Sequence, residues 1–323
     1  MEERTPQPRH GHRPIRDRRS RRAPRRFLLA ACAAVLAVAL AATVYTSGEA
    51  RSAAGHPVAS SARAAPGAAA TAGASPSPSK TAAGLTVPAK AGAGTVGPAL
   101  DAEMNAIIDA NGEYQIGVAL IDLSDGAVHE YGVQQAFVAA STAKVLAAAA
   151  YYHLVETGGA TLNEPMGDWT AGFQLKEMIQ DSDNDSWSLI MDAVGHQELS
   201  DYAASIGVSY DPESNTLTPA EMARIMAALY SGKLLDPDDT AQLLSYMQDT
   251  NYETLIPAAA PADVTVFHKY GLLDGELHDA GILSRDGSAY ALVIYTKGDG
   301  EDDIPQRTDV IHQLTRAVTD AVF

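Results

Sequence analysis

The stretch Phe137-Val138-Ala139-Ala140-Ser141-Thr142-Ala143-Lys144-Val145-Leu146-Ala147-Ala148-Ala149-Ala150 decides how the rest of the chain is read. It opens an Ala-rich helix, expected over Ser141–Thr157, in which one cation interrupts an apolar run. Ser141 and Lys144 are three positions apart, so on a helix they share a face. A serine hydroxyl is a weak nucleophile until a base takes its proton, and a lysine whose pKa is lowered by burial or other cations can be that base. The helix N-terminus also favours negative charge developing beside Ser141. Ser and Lys at this spacing often decorate a solvated helix, but a lysine inside Val138 to Ala150 asks for a reason.

Upstream, Leu100, Met104, Ile107 and Ile108 recur at helical spacing, and Asn111-Gly112 closes that helix. Gln115 to Leu123 reads as a strand, Ser124-Asp125-Gly126 as a turn, and Ala127 to Tyr131 as the hairpin partner. Downstream, the next hundred residues carry helical patterns near Gly172–Gln180, Ser186–Ala193, Leu199–Ile206, Pro219–Tyr230 and Asp238–Tyr246, without a convincing strand. Strand signals return at Val264–His268, Asp279–Leu283 and Ala289–Tyr295, the last two around Asp286-Gly287. A final helix places Val310, Ile311, Leu314, Val318 and Val322 on one face. The pattern predicts an α+β domain: an antiparallel five-stranded sheet flanked by N- and C-terminal helices, with an inserted all-helical lobe. A cleft between two lobes is a natural place for a site.

Two more motifs fall beside that cleft. Asp181-Ser182-Asp183-Asn184-Asp185-Ser186 lies between two helices of the inserted lobe. Ser182 is placed to relay a proton and the Asn184 amide to hold a carbonyl; the plain alternative is a solvated loop with Asp caps. Calcium is a rival, because Asp181, Asp183, Asp185 and Asp192 match positions 1, 3, 5 and 12 of an EF-hand loop. Position 6 is Ser186 where that loop needs glycine, so no metal site is expected. The other motif, His268-Lys269-Tyr270-Gly271, is expected at a strand end. It puts positive charge beside the cleft, with Gly271 letting a substrate approach the backbone.

S-x-x-K, S-D-N and K-x-G in this order, at a helix start, an interhelical loop and an inner strand, resemble the class A β-lactamase and penicillin-binding-protein superfamily of active-site serine hydrolases. The resemblance covers residues 99–323, and Leu217-Thr218-Pro219-Ala220-Glu221 and His278-Asp279-Ala280-Gly281 are similar to its β-lactamase side. It implies that Ser141 attacks an amide carbonyl to form an acyl-enzyme, with Lys144 as base and Ser182 passing a proton to the leaving nitrogen. Asn184, Lys269, Tyr270 and Gly271 would orient the substrate. The N–H groups of Ser141 and Leu272 would form the oxyanion hole. No cofactor is implied. The implied substrate is a β-lactam or related amide or ester; a D,D-carboxypeptidase-like enzyme acting on a peptidoglycan-like peptide, or a penicillin-binding module without turnover, are the alternatives.

Two departures bear on that expectation. Tyr270 stands where the family has a small hydroxyl residue. The family's deacylating glutamate, on a loop before the Thr-Pro helix, has no clear counterpart between Gly207 and Thr218. Glu213, in Asp211-Pro212-Glu213-Ser214-Asn215, is the stand-in, against a plain reading as an exposed turn residue. Slow hydrolysis is expected.

The first hundred residues read as delivery. Of 23 Lys and Arg, 14 lie there against 4 of the 40 Asp and Glu, a balance of +10; the remainder carries 9 against 36, or −27. Residues 1–26 form a basic cytoplasmic segment, and the uncharged Phe27–Thr46 is long enough for a membrane anchor or a signal core. With arginines before it, the positive-inside rule puts the folded domain outside the membrane, or secreted if the segment is cleaved. Residues 47–98, in which 42 of 52 are Ala, Gly, Ser, Pro or Thr, cannot bury enough apolar surface to fold and serve as a tether. A domain this acidic is a poor nucleic-acid binder. The single Cys32 excludes an internal disulfide framework and Cys-cluster metal sites. A monomer is expected.

Overall fold

The computed structural model describes residues 96–323. The expected basic segment, apolar helix and tether at 1–26, 27–46 and 47–98 lie, all but the last few residues, outside the described residues. Among the described residues no helix is long and apolar enough to cross a membrane.

In chain order the domain begins with α1 (Pro98–Ala110), β1 (Gln115–Asp122), β2 (Val128–Gly132) and β3 (Phe137–Val138). A 3-10 turn at Ala140–Ala143 leads into α2 (Lys144–Glu156). The short strands β4 (Pro165–Met166) and β5 (Trp169–Thr170) precede α3 (Ala171–Gln180), α4 (Asn184–Val194) and α5 (His196–Ser205). Next come β6 (Thr216–Leu217), α6 (Pro219–Tyr230), α7 (Pro237–Tyr246) and the single turn α8 (Ile256–Ala259). The chain closes with β7 (Thr265–Leu273), β8 (Glu276–Arg285), β9 (Ser288–Lys297) and α9 (Ile304–Val322).

The large sheet is antiparallel, in the order β2-β1-β9-β8-β7. Side chains alternate across a strand, and here both faces are covered. Ile116, Val118 and Leu120 of β1, with Tyr290, Leu292 and Ile294 of β9, pack under α1 and α9. Ala119, Ala280, Ala291 and Val293 face the opposite layer, which α2 and α6 fill. Small residues on that face let α6 lie close: a side chain at Gly117 would stand 2.3 Å from the Val133 carbonyl and 3.0 Å from Pro219. The fold class is therefore the predicted one, α+β with an inserted helical lobe.

Helix ends follow their capping residues. Thr218 and Glu221 form a reciprocal capping box at the start of α6, with Pro219 in the first turn. Asp236 accepts from the Asp238 and Asp239 N–H groups at the start of α7. The structure departs from the sequence reading chiefly in three places. Ser141 sits in a 3-10 turn and the α-helix starts only at Lys144. The inserted lobe does contain strands, though minimal ones: β3 pairs β6 through Phe137↔Leu217 and Val138↔Thr216, and β4 pairs β5. And β7, expected to end at His268, runs on to Leu273. Periodicity missed that extension because Lys269 and Gly271 are buried on it for reasons other than hydrophobicity.

Candidate active site

The turn that carries Ser141 is braced from three sides. Ala139 N–H donates to the Asn215 carbonyl at 2.7 Å, and Asn215 Nδ2 donates to the Ala140 carbonyl at 3.2 Å. Thr142 Oγ1 donates to the Ala139 carbonyl at 2.7 Å and meets Tyr295 Oη at 2.6 Å. From the sheet, His278 Nε2 donates to the Val138 carbonyl at 2.9 Å. His278 stays neutral because burial pushes its pKa down to about 4, and its Nδ1 accepts from Thr296 N–H. Ala140, just before the serine, holds φ +49°. A non-glycine residue there is strained by roughly 1–3 kcal/mol, which the surrounding bonds must offset. The Ser141 hydroxyl itself is half-buried, and no hydrogen bond ties it among the described residues.

Lys144, 3% exposed, opens α2 one turn further on. Its Nζ donates to the Ser182 carbonyl at 2.6 Å, to Asn184 Oδ1 at 2.7 Å and to the Asp183 carbonyl at 3.2 Å, with Ser182 Oγ at 3.5 Å. Three acceptors match the three protons of an ammonium. Burial nevertheless lowers its pKa to about 8, partly countered by the Asp183 carboxylate. About a tenth of Lys144 is then free base at neutral pH, against well under a thousandth for an exposed lysine.

The loop that meets Lys144 owes its shape to Asp183. Its Oδ1 accepts from Ser186 N–H at 2.6 Å and so caps α4, which puts Asn184 in the first turn of that helix. Ser182 holds φ +56°, which turns its carbonyl to Lys144. Of the residues weighed as a calcium loop, Asp183 is thus a helix cap. The acidic side chains that do converge among the described residues are Glu156, Asp236 and Asp239, at the other end of α2. A cavity of about 490 Å³ backs onto the same turn, lined by Trp169, Phe173, Glu177 and Asp183 among others. Its lining includes neither Ser141 nor Lys144 nor Lys269, so it is a groove of the helical lobe.

Strand β7 supplies the remaining residues. A side chain at Gly271 would stand 3.1 Å from the Ala139 carbonyl, 3.2 Å from Ala140 Cβ and 3.2 Å from Thr142 Cγ2. Gly271 is therefore what lets β7 lie against the serine turn; close approach of a substrate, expected from sequence, is not its first effect. Leu272, exposed, follows on the same strand, so its backbone runs beside the turn of Ser141. Lys269 is completely buried. Its Nζ donates to the Tyr270 carbonyl at 3.1 Å and lies 4.0 Å from the centre of the Tyr270 ring. Burial, and then the charge of Lys144, hold its pKa well below the ordinary lysine value, with Asp279 acting the other way. Tyr270 Oη donates to Asn251 Oδ1 at 3.0 Å, and its ring lies against that of Tyr252, with centroids 4.8 Å apart and planes tilted by 34°.

Beneath these lies a buried network that sequence reasoning missed. His268 Nδ1 is 2.9 Å from Asp279 Oδ1, and its Nε2 is 3.1 Å from Glu253 Oε1 and 3.0 Å from Thr250 Oγ1. Burial opposes protonation, but the two carboxylates outweigh it and raise His268 to about 9. Burial likewise opposes the Glu253 charge, yet bonds from His268 and Thr250 hold that carboxyl at about 2. Asn251, two residues before Glu253, donates its backbone N–H to the Gln180 carbonyl and its side-chain amide to the Asp181 carbonyl. The segment 249–253 thereby straps β7 to the loop of Ser182. A signal was present: an aspartate inside the apolar strand Asp279–Leu283 needs a buried partner, and a histidine on the neighbouring strand is the obvious one.

The structure brings Lys144, Ser182 and Asn184 into contact and lays β7 beside Ser141. It does not bring Glu213 into that group. Glu213 is 79% exposed and pairs with His196 Nδ1 at 2.6 Å, with His196 54% exposed. Its neighbour Asp211 is occupied as well, accepting from Glu213 N–H and from Ser214 Oγ. The residue of this loop that reaches the serine turn is Asn215.

A lysine-bearing helix behind a serine turn, an interhelical Ser-Asp-Asn loop and a Lys-x-Gly strand, set between an α/β layer and a helical lobe, define an active-site serine enzyme. The chain belongs to the beta-lactamase enzyme family, whose pattern it matches over residues 99–322. It is 26% identical to beta-lactamase CTX-M-8 of Citrobacter amalonaticus, the match covering 67% of this chain and 87% of the relative. A beta-lactamase of Proteus vulgaris is 27% identical, with 67% and 85% covered. Among solved structures, a mutant of PBP-A in an acyl-enzyme complex with penicillin-G superposes with a TM-score of 0.64 at 26% identity, covering 69% of this chain and 96% of that one. A mutant of the class A beta-lactamase of the last common ancestor of Gram-negative bacteria gives 0.64 at 25% identity, covering 69% and 98%.

Proposed function

We propose that residues 99–323 form an extracytoplasmic serine hydrolase that is acylated through Ser141 by a β-lactam or a related amide or ester. Lys144 accepts the Ser141 proton as Oγ bonds to the carbonyl carbon, and the oxygen charge that develops is received by the N–H groups of Ser141 and Leu272. Ser182 delivers a proton to the leaving nitrogen as the C–N bond breaks, and Asn184 orients the acyl group. One observation carries this reading: Lys144, buried and with its pKa lowered to about 8, has its Nζ 2.7 Å from Asn184 Oδ1 and next to Ser182. The membership of the beta-lactamase enzyme family supports it. The external location rests on the sequence of residues 1–46.

A second reading, a long-lived acyl-enzyme with little turnover, is favoured by the pairing of Glu213 with His196 away from this group. Intact mass spectrometry of the protein after incubation with a fluorescent penicillin tests both. The expected result is one adduct on the wild type and none on Ser141→Ala, and clearance of the adduct with multiple turnovers would support hydrolysis. An adduct that persists selects the second reading, and absence of any adduct overturns both.

A further inference from the structure

We propose that Tyr270 sets the substrate class of this site: the subsite between Lys269 and Ser182 takes an uncharged group of the substrate and disfavours a carboxylate. The proposal rests on the reading of Ser141 as nucleophile.

An anion needs a cation it can reach. Of the two lysines at the site, Lys144 has its protons engaged by three acceptors of the 182–184 loop. Lys269 is the one left for a ligand, yet it is completely buried and its Nζ sits 4.0 Å from the centre of the Tyr270 ring. The ring covers that nitrogen and fills the place an incoming anion would take beside it. Nor is the ring loosely placed. Its hydroxyl is tied to Asn251, its ring packs at a tilt against Tyr252, and Asn251 is anchored in turn to Gln180 and Asp181. A carboxylate entering here meets an aromatic edge and loses its hydration without recovering an ion pair, which is costly. A neutral ester or amide group loses far less and gains contact with the Tyr270 and Tyr252 rings. The low pKa of Lys269, set first by burial, points the same way.

Benzylpenicillin and its methyl ester share an acyl group and differ only in the carboxylate, so their acylation rate constants measured by stopped-flow and intact mass test the proposal. The wild type is expected to react faster with the ester by about tenfold or more, a size ordinary for one uncompensated charge in a site. Tyr270→Thr, which uncovers Lys269, should speed the acid by about thirtyfold or more and leave the ester within about threefold. Asn251→Ala, which frees the phenol without removing it, should move the ratio in the same direction by about threefold, and serves if Tyr270→Thr does not fold. A wild type that prefers the acid, or variants that change both rates alike, overturn the proposal. If neither compound acylates any variant, the nucleophile reading has failed. The dissociation constants of the same pair on Ser141→Ala then decide: tighter ester, reversed by added Tyr270→Thr, supports the subsite, and tighter acid or no difference overturns it.

Discussion

Lys144 Nζ lies 2.7 Å from Asn184 Oδ1, so the first residue of α2 is tied to the first residue of α4. The contact also bears on the proton affinity of the lysine, because an acceptor stabilises the charged form. The acylation rate is expected to rise with pH, with a midpoint near the Lys144 pKa of about 8. In Asn184→Ala, loss of an acceptor should move that midpoint down while lowering the maximal rate by about 10–100-fold. A pH–rate profile of acylation checks both. A midpoint that moves up would show that Asn184 does not hold the ammonium.

The same lysine makes a signed statement about stability. Its pKa is lowered in the folded protein, so the unfolded chain binds more protons above pH 8. Relative to Lys144→Met, the wild type should therefore gain stability as pH rises from about 8 toward the ordinary lysine value. Denaturant titrations of the two proteins at pH 7.5 and about 10 measure the difference.

His268 has the opposite sign. Its pKa is raised to about 9 by Asp279 and Glu253 against the pull of burial. The stabilisation is fully present below the unfolded value near 6.5 and is lost as pH rises through about 9. His268→Gln should cost about 2–4 kcal/mol at pH 6, since it leaves two carboxylates without their buried partner. The gap to wild type should close as pH approaches about 9. A gap independent of pH would mean that His268 is neutral in the folded protein.

Gly271→Ala would set a methyl group 3.1–3.2 Å from three atoms of the serine turn, one of them the Ala139 carbonyl. Either β7 or that turn must shift by a few tenths of an ångström. Overpacking of this kind costs about 1–3 kcal/mol, and acylation should fall by about 10²-fold through misplacement of Ser141. The thermal midpoint and the acylation rate, measured on the same preparation, are expected to fall together.

Two residues of the 211–215 turn should behave differently. Glu213→Gln breaks only an exposed pair with His196 and should leave stability and acylation within about twofold. Asn215→Ala removes the amide that holds the Ala140 carbonyl and should cost about 1–2 kcal/mol, with a clear loss of acylation rate. Deacylation that collapses in Glu213→Gln would restore Glu213 as a base.

The legible parts of this protein were those whose signal is local. S-x-x-K, S-D-N and K-x-G, the Thr-Pro helix start and the Asp-Gly turns are short patterns, and each fell where its neighbours were expected. The sheet was legible because β1 and β9 are near-continuous apolar runs bounded by turn residues, as strands covered on both faces are. What was not legible depends on partners far along the chain. Asn215 and Ala140, or His268 and Asp279, are unremarkable residues until the fold joins them. The length of β7 was missed for the same reason: buried Lys269 and Gly271 are paid for by a tyrosine ring and by a tight turn, which no hydropathy window contains.

The pairing of β1 with β9 along its whole length, from Gln115↔Lys297 to Asp122↔Tyr290, has a consequence for how the molecule is made. During synthesis, β1 can join β2 at once, but its other edge must wait for β9 to emerge, on the order of ten seconds later. Contacts this distant in sequence also form slowly once all residues are present. Through that interval Ile116, Val118 and Leu120 lack the α9 residues that cover them in the finished domain. A nascent chain stopped before Lys297 therefore presents an open strand edge over an apolar face, the form most prone to pair with a neighbour. Any expression fragment of this domain should keep β1 and β9 together or be recovered only as aggregate.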